Sequence, residues 1–356
     1  MDNIKAKREM NIELLRIILM ILIVFHHLLV HGLNFKSINA EGFHSNSHTI
    51  SDGLVESFLV MAVYCFVFIS GYYGLKFRIK TVLNLIIQTF TYSVLIYILY
   101  DLIVYNKIIL LDTVKGFLPI SRAKWWFITT YFFLYLLSPL LNLAKKYLTK
   151  FQFIYVVLVI TSINFAIGFV FDPKYLGVFN GYSLIGFISV YLWGQAFSEY
   201  FKIKRGRLFY LSIYIISCLG IFLMFYISLK YINHLIAWKM FSYNNPLVMI
   251  SAISFFFLFK SFKIYNTKIL YFSSAALGVY LIHDHFVSRK FIIDNLSKFT
   301  ATYNLGNVYL TLLLIAIMIF ILGALVERIR MWVSDPLINY TMKRFNLIEV
   351  DKKLNI

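Results

Sequence analysis

A chain of 356 residues that is 60% hydrophobic and only 14% charged, with a mean hydropathy of +0.77, is not a water-soluble domain, which keeps about a quarter of its residues charged. The formal charge of +18, from 34 Lys and Arg against 16 Asp and Glu, does not mark a nucleic-acid binder. The basic residues fall in short loops between apolar runs, the pattern of cytoplasmic loops facing anionic lipid head groups.

Runs of about 20 apolar residues, the length that crosses a bilayer as a helix, recur about ten times. The predicted spans are 11–31, 54–75, 81–104, 125–143, 152–171, 181–200, 208–229, 244–259, 269–288 and 306–327. The implied fold class is all-α, a polytopic transmembrane helix bundle of about ten helices. The first run is too long for a signal-peptide core and is expected to stay in the membrane. It reads N-I-E-L-L-R-I-I-L-M-I-L-I-V-F-H-H-L-L-V-H from Asn11 to His31. Arg16 lies about one turn inside the cytoplasmic end. His27 follows about three turns and about 16 Å further on, on the same face, whereas His26 points about 80° away. Glu13 lies one turn below Arg16, and His31 one turn above His27. Such a stripe inside a span suggests a lined cavity. The alternative is that Arg16 snorkels to the inner head groups and the histidines sit at the outer interface.

The largest outside loop, Gly32 to Gly53, holds His44, Asn46 and His48 and could cover an outer mouth. The second span carries Glu56 and the Ser70–Gly71 pair, read as a packing contact. The basic loop Lys76, Arg78 and Lys80 follows, and Asp101 ends the third span. Trp125 and Trp126 open the fourth, as an interfacial belt or as a stacking surface for a sugar ring. Later inner loops hold Lys145, Lys146 and Lys150, then Lys202, Lys204, Arg205 and Arg207, then Lys260, Lys263 and Lys268. The ninth span closes on His283, Asp284 and His285, level with His27. A membrane domain over 1–330 is then followed by a basic cytoplasmic tail, 331–356. Counted loop by loop, the positive-inside rule puts both termini in the cytoplasm. Cys65 and Cys218 lie in apolar stretches and read as packing residues, and no metal-ligand pattern stands out.

Four short segments, in order, carry a resemblance. Arg16, ten intervening residues and His27 on the first helix resemble the signature of the acyltransferase-3 family, multi-pass bacterial membrane proteins that O-acylate cell-envelope glycans. F-V-F-I-S-G-Y-Y at Phe66–Tyr73, W-W-F-I-T-T-Y-F-F-L-Y-L-L-S-P-L-L-N at Trp125–Asn142 and G-V-Y-L-I-H at Gly278–His283 resemble three later family segments. The resemblance implies a membrane O-acyltransferase, foremost an O-acetyltransferase, in the bacterial cytoplasmic membrane. It would take acetyl-CoA or another acyl-CoA from the cytoplasm as a substrate, with no permanently bound cofactor. The acceptor would be a hydroxyl of a capsule, exopolysaccharide or lipid-linked glycan outside. The family's essential arginine and histidine carry over onto Arg16 and His27. Relatives often show R-x-x-R after the second helix; here the loop reads K-F-R-I-K, so charge is kept without a pair of arginine forks.

Elementary chemistry fits that expectation. Coenzyme A is a polyanion, so Arg16 with Lys76, Arg78 and Lys80 are candidate donor-binding residues, although topology alone accounts for the loop lysines. A neutral His27 can serve as general base for a sugar hydroxyl or as the nucleophile of a transient acyl-histidine. A carboxylate on its other ring nitrogen would fix the tautomer, with Glu56, Asp52, Asp101 and Asp284 the candidates. His283, Asp284, Glu56 and Trp126 are the candidate acceptor-side residues. A glycan transporter or flippase, with the stripe lining a conduit, is the competing reading from another class; a glycan polymerase is a weaker third, because the chain lacks a large outer catalytic loop.

Overall fold

A computed structural model describes residues 9–33, 35, 49–109, 116–117, 119–120, 125–171, 177–201, 204–300 and 305–354. These residues are all-helical. Helix α1 (Met10–His27) widens into a π-helical turn over Leu28–Gly32. Helices α2 (Thr49–Leu59) and α3 (Ala62–Tyr73) form one span interrupted at Val60–Met61, and α4 (Ile79–Tyr105) and α5 (Trp126–Tyr147) follow. Next come α6 (Lys150–Thr161), α7 (Leu184–Glu199), α8 (Arg207–Tyr231), α9 (His234–Lys239) and α10 (Pro246–Lys260). The ninth expected span is two short helices, α11 (Ile269–Ser273) and α12 (Ala276–His283), after which α13 (Phe286–Thr300) packs on the Leu28–Gly32 turn. A 40-residue helix, α14 (Leu305–Arg344), and the short α15 (Leu347–Leu354) end the chain.

Among the described residues, seven helical segments are long and apolar enough to cross a membrane: Met10–Gly32, Thr49–Tyr73, Ile79–Tyr105, Trp126–Tyr147, Lys150–Phe171, Arg207–Tyr231 and Val308–Arg344. Two expected spans, 181–200 and 269–288, are shorter than predicted, and the eighth, 244–259, is as short as its apolar run. α7, α10 and the α11–α12 pair reach only 15 or 16 residues. α14 runs unbroken through residue 330, so the first part of the basic tail belongs to a helix that starts in the bundle.

The position of α1 decides what its polar residues do. From Asn11 to Val30 no side chain is exposed, because the helix packs among α3, α10, α11, α12 and α14. Leu15, Leu19, Ile23 and Val24 are 0–4% exposed. Apolar side chains facing outward lie instead on α8 (Leu208, Ile216) and α14 (Leu314, Leu322), as a lipid-facing surface requires. Arg16 therefore lies on a cavity wall inside the bundle and not on the outward-facing apolar surface.

Ser70–Gly71 is a packing contact in part. A Cβ on Gly71 would lie 2.1 Å from the Tyr191 carbonyl oxygen, and one on Gly194 2.6 Å from the main chain of α3. Only glycine permits this approach of α3 to α7. Gly71→Ala should force the two helices apart and lower stability by about 1–3 kcal/mol, measured as a fall in the thermal unfolding midpoint of the detergent-purified protein.

The loop after α3 is clamped by α5 and α7. The Tyr135 hydroxyl donates to the Lys76 carbonyl at 3.0 Å and accepts from the Arg78 N–H at 2.8 Å. Asn142 donates to the Leu75 carbonyl at 2.8 Å and accepts from the Tyr191 hydroxyl at 2.8 Å and from Gln195 at 2.7 Å. The Tyr and Asn of the W-W-F…Y…P-L-L-N segment thus hold the basic loop in place. A buried ion pair lies within α14, where Glu327 meets Arg330 at 2.6 Å; Glu327 also accepts from Gln88 (3.0 Å) and Tyr92 (2.7 Å), joining α14 to α4.

Candidate active site

Two cavities meet at His27. The larger, about 630 Å³, follows α1 from Glu9 and Glu13 past Arg16, Met20 and Ile23 to His27. Its other walls come from Ser70 and Tyr73 of α3, Tyr131 of α5, and Ser273 and Tyr280 of α11–α12. The smaller, about 190 Å³, lies beyond His27 and is lined by His26, His31, Trp126, Tyr182, Trp238, Tyr243, Asp284 and Arg289. His27, Trp126 and Tyr243 belong to both walls. A helix with its polar stripe turned inward is what leaves this space: where the neighbours are apolar, α1 packs tightly, and along the stripe it does not.

Arg16 lines the larger cavity, and its Nε is buried without a hydrogen bond. One turn below, the buried Glu13 carboxylate accepts from the Ser273 hydroxyl at 2.6 Å. At the cavity mouth Glu9 pairs with Lys260 at 2.7 Å, and Lys260 also donates to the Tyr73 hydroxyl at 3.2 Å. Lys76, Arg78 and Lys80 do not line this cavity. Their side chains are exposed, and Lys80 donates to Asn339 at 2.7 Å. The helix leading into that loop does reach the cavity, through Ser70 and Tyr73.

The group that meets the second ring nitrogen of His27 is an imidazole. His27 Nδ1 lies 2.9 Å from His283 Nε2, whereas the nearer Asp284 oxygen is 3.6 Å away. His283 Nδ1 in turn lies 2.7 Å from the Val279 carbonyl, which can only accept. With both rings neutral this chain has one consistent arrangement. His283 carries its proton on Nδ1, its Nε2 accepts from His27 Nδ1–H, and the lone pair of His27 is left on Nε2. Asp284 is engaged by Arg289 at 3.2 Å. Asp52 accepts from the Tyr309 hydroxyl at 2.6 Å, and Asp101 accepts from the Ile109 N–H at 2.9 Å, so both serve other contacts.

Glu56 does hold a histidine, but it is His26. His26 Nδ1 lies 2.7 and 2.9 Å from the two carboxylate oxygens, and Glu56 is 0% exposed. The 80° offset that takes His26 off the Arg16–His27 stripe points it at α2. Trp125 is 1% exposed and packs on His285, which removes it from any interfacial belt. Trp126 faces both cavities and stands 5.5 Å from Tyr243 and 4.6 Å from Tyr182, ring centre to ring centre. Sequence reading missed Tyr182, Trp238, Tyr243 and Arg289. Of these, only Arg289 left a signal, as a cation about one helical turn after the I-H-D-H segment. The His44, Asn46 and His48 of the outside loop lie outside the described residues.

The arrangement can hold an elongated molecule along α1, with one cation part-way and a histidine lone pair at the far end. A second molecule can reach the same histidine from the aromatic side. A family described as an acyltransferase domain, the acyltransferase-3 group, matches residues 10–328, nearly the whole chain. No curated protein and no solved structure matches it.

Proposed function

The chain belongs to the acyltransferase-3 family, and on that premise we propose that it is a membrane O-acyltransferase. It moves an acyl group, foremost acetyl, from cytoplasmic acyl-CoA to a hydroxyl of an extracytoplasmic envelope glycan such as a capsule or exopolysaccharide. The observation that carries this reading is the meeting of two cavities at His27, one holding Arg16 and the other walled by aromatic side chains.

The pantetheine arm enters the larger cavity between Glu9 and Tyr73, and its thioester comes to rest at His27. Arg16 supplies a charged donor along that path, to a phosphate or to the amide carbonyls of the arm. The clamped loop with Lys76, Arg78 and Lys80 meets the nucleotide phosphates outside the cavity, as an exposed electrostatic contact. On the other side a sugar ring lies among Trp126, Tyr182 and Tyr243. Aromatic faces suit the C–H face of a pyranose, and Asp284 and Arg289 suit its hydroxyls. His27 Nε2 lies at the junction. A lone pair there can accept the hydroxyl proton as the oxygen attacks the thioester, or attack the thioester itself.

In this reading His283 is a positioning residue that keeps the lone pair on Nε2. His283→Ala should lower kcat about 10- to 100-fold with little change in KM, as loss of a partner that orients a reacting imidazole does. His283→Gln, which keeps an acceptor, should recover part of it. The function itself is tested by NMR of the envelope glycan from a deletion strain. Loss of O-acetyl signals with polymer still exported supports the enzyme. Loss of export with acetylation intact supports a conduit for glycan instead.

A further inference from the structure

The proposed reaction needs two things of its histidines, and the site supplies two adjacent histidines with different surroundings. One group must end the acceptor step holding a proton, hence charged. Another must present an uncharged lone pair to the thioester. The two rings stand 5.2 Å apart, centre to centre.

His26 is built for the first task. Its Nδ1 lies 2.7 Å from the fully buried Glu56 carboxylate, so a proton gained at Nε2 leaves an imidazolium in contact with an anion. It lines the outer cavity and not the inner one. His27 is built for the second. Its Nδ1 meets a neutral imidazole whose own proton is tied to a main-chain carbonyl. The near carboxylate, Asp284, is 3.6 Å away and is engaged by Arg289 at 3.2 Å. An imidazolium at His27 therefore lacks an anion at hydrogen-bond distance. His27 alone of the two reaches both cavities.

Resting on the acyltransferase reading above, we propose that the two histidines divide the reaction: His27 is the nucleophile that carries the acyl group, and His26 with Glu56 is the general base that activates the acceptor hydroxyl. In the first half, His27 Nε2 attacks the thioester carbonyl carbon, an N–C bond forms and the C–S bond breaks. Coenzyme A leaves as the thiolate and takes a proton from water on its own side. In the second half, His26 Nε2 removes the hydroxyl proton as the oxygen attacks the acyl carbon. The O–C bond forms, the C–N bond breaks, and its electron pair returns to His27. His26 then releases its proton to the outer water. The acyl group has moved from sulfur to oxygen by way of an N-acylimidazolium that carries one positive charge; one proton is taken up on the donor side and another released on the acceptor side, with no change of oxidation state. The positioning role of His283 serves the same end, because it keeps Nε2 of His27 unprotonated for attack.

The test separates the halves. The full-length protein in nanodiscs is mixed with radiolabelled acetyl-CoA alone, and label on the protein that neutral hydroxylamine releases is measured in rapid-quench samples. O-acetyl content of the envelope glycan is measured in cells carrying the same variants. His26→Gln and Glu56→Gln should keep the labelled adduct, and lengthen its life, while glycan acetylation falls about 100-fold or more, the scale of a lost general base. Glu56→Gln keeps a hydrogen-bond acceptor for His26 and removes only the charge, so it decides the matter if His26→Gln fails to fold. Variants that keep both adduct and acetylation, or lose both while retaining wild-type thermal stability, overturn the division, as does wild-type protein that never forms an adduct. His27→Ala that still acetylates glycan would instead overturn the acyltransferase reading on which the division rests.

Discussion

His27→Ala is expected to abolish glycan acylation, by about 1,000-fold or more, while the protein still inserts and accumulates at wild-type levels. The loss is large because one side chain faces both substrates, whether it takes the proton or the acyl group. Removing a positioned base costs about 100- to 10,000-fold, and removing a nucleophile with no substitute costs at least as much. His27 contributes little to packing that alanine would forfeit, since the ring faces two cavities and its described polar contact is to another histidine. Neighbouring Leu28, Leu29 and Val30 keep that end of the helix in the core at 0–3% exposure. O-acetyl NMR signals of glycan from the complemented strain, beside an immunoblot of the membrane fraction, give both readings. Wild-type acetylation in that strain would remove His27 from the mechanism.

Arg16→Ala should cost about 100- to 1,000-fold in kcat/KM for acyl-CoA, the range seen when one preorganised donor is removed. Its effect on stability should be small or favourable. A half-buried guanidinium whose buried Nε lacks a hydrogen bond is a burden in the empty protein, and it becomes useful only when a ligand accepts from it. Arg16→Lys keeps the charge without the planar fork, so it should restore little of the activity. The check pairs kinetics of coenzyme A release with thermal unfolding of the same samples. A variant that loses activity only in proportion to lost stability would make Arg16 a structural residue. The pairing matters, because Arg16 lies one turn from Glu13, whose contact with Ser273 ties α1 to α11.

The parts of this site that a sequence displays are those within one helix. Arg16 and His27 share a face because of the 100° advance per residue, and that holds whatever surrounds them. Whether the face meets lipid or a cavity depends on α1 lying at the centre of the bundle, which is a property of its neighbours. The same limit explains the carboxylate. Glu56 is recognisable as a buried acid near the right depth, but its partner follows from which side of α1 helix α2 packs against. That contact spans 30 residues, and the His27–His283 contact spans 256. The basic loop shows the converse. Lys76, Arg78 and Lys80 stand out as charge, yet Tyr135 and Asn142, which hold that loop, look like ordinary members of an aromatic helix. Helix lengths diverged for a simple reason. α7 is shielded by other helices, so it does not have to span the hydrocarbon alone, and the start of its expected span, 181–183, lies in the turn before the helix.

The most direct test of the account uses membrane vesicles of known orientation, with radiolabelled acetyl-CoA supplied to one face at a time. Label should enter the envelope glycan only when the donor is on the face bearing Glu9 and Arg16, and His27→Ala vesicles should transfer none. Equal labelling from either face, or undiminished labelling with His27→Ala, would contradict transfer between two cavities that meet at His27.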